Sequence, residues 1–267
     1  MKQRRVVILG ITILAGLWAL SFLGGRAFPE ALANGCPFGR DLVRPDESVC
    51  TLAFGGLWVS LSVGFGAASL ATVFGLLLAF TSRLLGGFVE RWVMRISDSF
   101  FSLPDVLILM VLQASAQTAG DLDPSLKLDP ALLMVISLGV VGWAAPARMI
   151  RDRLYSLEQR EFVAAARALG SSRTHLIRTH LWPSLRPFLL GIFLARIPSA
   201  ILAESTVSFF GIARMEPMSL GRYLGTSYSA LVYDGGARIV GPAWALLVLV
   251  VLAASLSARA VRGVESR

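Results

Sequence analysis

EQREFVAAARALGSSRTHLIRTHLWPSLRP, residues Glu158 to Pro187, is the longest polar interval between apolar runs in this 267-residue chain. It carries Arg160, Arg167, Arg173, Arg178 and Arg186, with Arg153 just before it, and both histidines, His175 and His180. Phe162, Ala165, Ala166 and Leu169 fall at i, i+3, i+4 and i+7, the spacing of one helix face. Gly170 suits the position just past a helix C-terminus. Ser171 or Ser172 can cap a second helix in which Leu176, Ile177 and Leu181 are apolar. Pro183 and Pro187 are expected to break the chain after it. The pattern predicts a helix–turn–helix lying along a membrane surface. Two readings stay open: an amphipathic element resting on lipid headgroups, favoured by the arginines, or a docking surface for a protein, favoured by the alanine-rich face and the glycine break.

Composition sets the class. Hydrophobic residues make up 55% of the chain and charged residues only 16%, against about 25% charged in soluble domains. This is an all-α, polytopic membrane protein by composition. The net charge of +8 does not indicate nucleic-acid binding, because the positive residues are not interleaved with aromatics on a soluble domain. Cys36 and Cys50 form no CxxC pair, and no His/Cys cluster has metal-ligand spacing. A phosphate-binding GxxxxGK[ST] loop and a dinucleotide fingerprint are both absent. The chain therefore shows no ATP site, cofactor site or metal site of its own.

Six apolar spans are expected. Residues 1–25 give a basic start and an uncharged run, Val6–Gly25, long enough to cross; Arg26-Ala27-Phe28-Pro29 is a poor cleavage site, so the run reads as an uncleaved first helix rather than a signal peptide. Residues 26–50 form a polar external loop holding both cysteines. A Cys36–Cys50 disulfide is possible if that loop is periplasmic; otherwise they are two separate thiols. Residues 51–258 hold the remaining spans: Thr51–Ser82, Ile96–Gln117, Ala131–Ala147, Phe188–Ala213 and Ile239–Ala258. Pro104 should kink or restart the second of these, Pro146 and Arg148 should end the third, and a loop at 214–238 should follow the fourth. The interval 148–187 lies between spans, and 259–267 is a short tail. Within Thr51–Ser82, Ser60, Gly64 and Ala68, with Ser62 and Gly66 beside them, make a small-residue stripe that lets another helix approach closely.

Loop charge orients the layout. Of the 25 Lys and Arg residues, seventeen fall on the N-terminus, residues 83–95, the 148–186 interval and the tail, and seven on the opposite loops. The positive-inside rule then places both termini and the long loop in the cytoplasm.

At the long loop the sequence resembles a known family. Ala164-Ala165-Ala166, three residues, Gly170, nine residues and His180-Leu181-Trp182-Pro183 are similar to the cytoplasmic "EAA" signature of permease subunits of bacterial binding-protein-dependent ABC importers. The signature's glutamate is Ala164 here and the leucine before its proline is Trp182; Glu161 lies one turn earlier. From residue 38 onward the chain resembles the C-type subunit of the dipeptide/oligopeptide/nickel permease group. The matching stretches are Phe38-Gly39-Arg40-Asp41, Ser97-Asp98 through Leu103-Pro104, Gly142-Trp143 before Ala147-Arg148, Arg160 to Val163, Ala166 to Gly170, and Ile201 to Glu204 through Ser208 to Gly211. The resemblance implies the type I ABC importer permease fold, half of a translocation pore shared with a second, homologous permease, and two separate ATPase subunits that bind ATP. It also implies an extracytoplasmic solute-binding protein on the external loops, residence in the bacterial inner membrane, and a solute of the di- or oligopeptide class, with nickel or another small solute as the alternative. Residues implied to couple to the ATPases are Glu161, Ala164, Ala165, Ala166, Arg167, Leu169, Gly170, Ser171 and Pro183.

Ionisable residues inside apolar spans are functional candidates by default. Arg196 and Glu204 are eight residues apart and share a helix face; they either line the translocation path or hold helices together, and Asp98 is open to the same two roles. Enzyme readings find no support: His175 and His180 at i, i+5 are not a zincin pair, and no nucleophile motif is present. Apart from the ABC reading, the loop also fits a non-ABC transporter or channel whose basic segment binds anionic lipid.

Overall fold

The computed structural model describes residues 12, 15–19, 21–22, 34–41, 46–102, 104–126, 128–213, 215–228 and 236–265. Among these the regular structure is helical, apart from a bridge between Arg40 and Ser48, with turns and irregular segments between the helices. Helix α1, Val49–Leu85, begins where the Ser48 hydroxyl accepts the Thr51 N–H at 3.1 Å. Its 37 residues rise about 55 Å at 1.5 Å each, so it overruns a hydrocarbon core of about 30 Å. Helices α2, Gly87–Ser102, and α3, Asp105–Leu122, meet at 87° around Pro104. Residues 87–95, expected as loop, are thus helical, and the proline restarts the chain as α3.

Helix α4, Pro130–Gly142, is capped by the Asp129 carboxylate, which accepts the Leu132 N–H at 2.9 Å. Helix α5, Ala144–Glu158, continues it after a 43° bend. Pro146 does not end this span. It occupies the first turn of α5, where a backbone N–H has no intrahelical acceptor and its absence costs nothing. The basic interval therefore opens as the second half of a helix. It continues as α6, Glu161–Ala168, and α7, Arg173–Leu176, then a π-helical stretch, Ile177–Leu181, and α8, Trp182–Phe209. Pro183 and Pro187 do not break the chain as expected. The π stretch widens the helix immediately before Pro183, with the Trp182 N–H reaching the Ile177 carbonyl, and this accommodates the proline ring. Residues 214–238 are likewise not all loop: α9, Leu220–Ser227, lies within them, and α10, Gly236–Glu265, follows and extends the last span into the tail.

Among the described residues, three helical stretches are long and apolar enough to cross a membrane, Val49–Leu85, Thr179–Phe209 and Ala237–Leu256; the bent pairs α2/α3 and α4/α5 bring the number to as many as five. The expected first span, Val6–Gly25, lies mainly outside the described residues.

Helices α1 and α8 form the spine. Each of three buried clusters draws on both. One adds α9 and α10 through Leu220, Tyr223, Ile239 and Val240. The second adds α3 and α4 through Leu109, Met134 and Leu138. The third adds α5, α6 and the π stretch through Ile150, Leu154, Val163 and Leu181. The small-residue stripe of α1 serves this packing. Gly64 lies under the Ile201 side chain of α8, and Gly66 under Val135 of α4. Helix α9 sits still closer to α8. A Cβ on Gly221 would overlap the Ser205 backbone, and one on Gly225 the Phe209 carbonyl. With this i, i+4 glycine pair, backbone packs directly on backbone.

The segment before α1 is tied to the same end of the bundle. Cys36 and Cys50 are joined, with S–S 2.12 Å. The Val49 N–H donates to the Gly39 carbonyl at 3.1 Å, and Asp41, buried, accepts the Tyr223 hydroxyl of α9 at 3.0 Å.

Adding a methyl at the α8–α9 contact forces backbone to move, an overpacking cost of about 1–3 kcal/mol. Gly225→Ala should lower the melting temperature of the detergent-solubilised protein by several degrees. Gly241→Ala, where no atom lies within 4 Å of the added Cβ, should not lower it, since alanine is the better helix former.

Candidate coupling surface and buried polar cluster

The Glu158–Pro187 interval folds as two helices joined at Gly170, whose φ of +80° is the left-handed conformation that glycine adopts without strain. The Ser171 N–H returns to the Ala166 carbonyl at 3.1 Å, the 6→1 bond of a Schellman turn. Ser172, the second of the two candidate caps, accepts the His175 N–H at 3.3 Å. Both ends of the elbow are therefore satisfied locally, and its angle is set by its own sequence.

Which face of α6 is buried was not legible from the spacing. Val163 anchors it, 0% exposed, against Leu176, Leu181, Leu154 and Leu157. Phe162, Ala165 and Leu169 lie outward, Leu169 at 87% exposure, and only Ala166 of the expected face is partly covered. The physical reason is geometric. α6 is docked by one β-branched residue at the centre of a short helix, which leaves the alanine face uncovered by this chain. Glu161, Ala164, Gly170 and Pro183 are also exposed, and Ser171 is partly so; Arg167 is placed by its backbone within α6. The Phe162 ring packs against His180 at 5.7 Å, and His180 against His175 at 6.3 Å, so both histidines belong to this surface. The exposed set is small, apolar and ringed by polar groups, a shape suited to receiving a complementary protein surface.

Arg196 and Glu204 of α8 face different partners. Glu204 is 0% exposed, and three hydroxyls donate to its carboxyl: Ser208 at 2.7 Å, Ser60 at 2.9 Å and Ser205 at 3.3 Å. Ser60 in turn accepts the Leu220 N–H at 3.1 Å. One carboxyl thus joins α1, α8 and the first residue of α9. A buried acid is costly unless its oxygens are satisfied, and the serines supply that satisfaction. The sequence shows these serines but not that they converge. Arg196 instead extends toward α4, where its guanidinium fills the space left by the missing side chain of Gly142 and borders a cavity of about 90 Å³ beside Pro146 and Phe188. Asp98 of α2 pairs with Arg148 of α5, a contact between helices near the start of the basic interval.

Truncating Glu204 leaves buried hydroxyls without an acceptor, at about 1–3 kcal/mol per group. Glu204→Ala should therefore cost several kcal/mol of stability in micelles. Glu204→Gln, which keeps one acceptor oxygen, should cost less than half as much by the same unfolding assay.

Comparison with known proteins agrees with this architecture. The chain is similar to the oligopeptide transport system permease protein OppC of Haemophilus influenzae, 30% identical over 210 residues that cover 79% of this chain and 61% of that protein. It is similar to the dipeptide transport system permease protein DppC of Bacillus subtilis, 25% identical over 257 residues covering 91% of this chain and 74% of that one. This chain thus spans less than two thirds of the Haemophilus protein's length. A solved structure of the MetNI methionine ABC transporter in inward-facing conformations shares the fold, with a TM-score of 0.61 over 80% of this chain and 96% of that chain at 22% identity. Residues 71–267 match the family of binding-protein-dependent transport system inner membrane components, a stretch that takes in α2 to α10 and the whole Glu158–Pro187 interval, and the chain belongs to that family.

Proposed function

We propose that this chain is a permease subunit of an ABC importer, forming half of a translocation pore with a second permease and taking its energy from two separate ATPase subunits. The observation that carries the reading is the α6 elbow: locally capped, anchored at Val163, and presenting Phe162, Ala165 and Leu169 outward. Such a surface supports docking of a protein rather than lipid coating, because its exposed centre is alanine and glycine rather than a run of long aliphatic side chains. Glu161, Ala164, Ala165, Ala166, Arg167, Leu169, Gly170, Ser171 and Pro183 would make or frame that contact. ATP would be held by the partners, and this chain would carry no cofactor or catalytic group.

The charge balance supports a cytoplasmic elbow and cytoplasmic termini in a bacterial inner membrane. The joined Cys36 and Cys50 lie at the opposite end of α1, which agrees with an extracytoplasmic compartment where disulfides persist. An external solute-binding protein would dock at that end. The names of the relatives support di- or oligopeptides as the solute class. Mechanistically, ATPase closure would move α6, and the bundle would alternate between outward and inward openings, a two-state equilibrium biased by nucleotide.

Placing a charge at the centre of the surface tests this. Ala165→Glu should reduce co-purification of the ATPase subunits at least ten-fold, and peptide uptake by inner-membrane vesicles with it. Uptake that continues without ATP or without the ATPases would rule the reading out.

A further inference from the structure

An ion pair outside the docking surface ties α1 to the end of α5 that leads into the elbow. Arg83, in the last turn of α1, donates through Nη2 to Glu158 Oε2 at 2.6 Å, and Glu158 is the last residue of α5, three residues before α6 begins. The same guanidinium lies 3.5 Å from Glu90 of α2 and 5.4 Å from the ring centre of Tyr155, one turn back along α5. Glu90 also faces Arg151 of α5 at 3.9 Å. Three helices thus converge on Arg83 at the foot of the elbow. Burial of the Arg83 and Glu158 side chains is substantial, with 27% and 16% of each exposed, so this pair is better shielded than a free surface salt bridge.

Beside the pair is a cavity of about 350 Å³. Arg83, Glu90 and Glu158 form part of its wall, and Val163, Leu176 and Ile177 form the opposite part. The elbow therefore does not pack solidly on the end of α1. Among the described residues it also meets α1 through the apolar cluster of Ala79, Ile150, Leu154 and Val163, and apolar contacts are non-directional and allow sliding. A charge-assisted hydrogen bond fixes distance and angle. The cavity leaves space beside the elbow, and the Arg83–Glu158 bond is the directional contact at its foot.

We infer that Arg83 is a positioning residue for energy coupling: through Glu158 it forms the joint that passes motion between the ATPase-facing elbow and helix α1, the helix that runs to the opposite end of the molecule. This rests on the permease reading above. The joint is distinct from the surface that receives the ATPases, so breaking it should separate signalling from assembly.

The test uses the full complex, with both permeases and ATPases in nanodiscs, and the binding protein purified with the solute it carries. The readout is the fold-stimulation of ATP hydrolysis by that loaded binding protein, a signal that must cross the permease from one face to the other. Arg83→Gln should keep ATPase co-purification and unstimulated hydrolysis within two-fold of wild type, while stimulation falls to a quarter or less. Arg83→Lys, which retains the charge but not the fork, should keep at least half of the stimulation. The joint is refuted if Arg83→Gln retains full stimulation, or if it loses the ATPases, which would mark a folding or docking role. A wild-type complex with no stimulation at all would refute the permease reading instead.

Discussion

The contact on which the fold depends is the crossing of α1 and α8 at Ser60, Gly64, Ile201 and Glu204. Gly64 lets the helices close onto Ile201, and one turn away the Ser60 hydroxyl donates to the buried Glu204 carboxyl while accepting the Leu220 N–H. In an apolar solvent the hydrophobic effect does not drive helices together, so close packing and satisfied polar groups must do so. Both are present at this crossing. It also explains why the three largest buried clusters share α1 and α8, and why the short helix α9 is held at one end of the spine rather than lying free.

The two ends of that spine are built differently. At the end near Cys50, attachments are dense: backbone packs on backbone at Gly221 and Gly225, Tyr223 is bonded to Asp41, and a disulfide joins Cys36 to Cys50. At the Arg83 end, the described residues join α1 to the foot of the elbow through the Arg83–Glu158 ion pair and a sliding apolar contact, beside a cavity. A firm end and a jointed end on one long helix suit a lever. Motion imposed at the jointed end can be carried along α1, because the helix itself is continuous over 37 residues and contains no proline.

Much of the candidate site could be read from residues alone. The turn at Gly170, the cap at Ser171 or Ser172 and the presence of two helices followed from backbone preferences that act over four or five residues. The orientation of α6 did not. Phe162, Ala165, Ala166 and Leu169 make a periodic face, and so do Val163 and its neighbours. Periodicity marks a helix without saying which side another element will cover, and Val163 was chosen by the position of Leu176 and Leu181. Proline was the other weak point. Pro146, Pro183 and Pro187 all suggest breaks, yet the first sits in an opening turn and the second follows a π-helical stretch that accommodates it.

The sequence by itself determined the membrane class, the absence of a phosphate-binding motif, the inside–outside charge bias and the location of the long basic interval, because composition, motif spacing and local backbone preference are properties of short stretches. Only the tertiary structure decided that Glu204 is enclosed by Ser60, Ser205 and Ser208, that Arg196 turns instead to Gly142, and that Arg83 meets Glu158 across 75 residues of chain. Those pairings are set by which helix lies beside which, and a single sequence holds no distance information between residues so far apart.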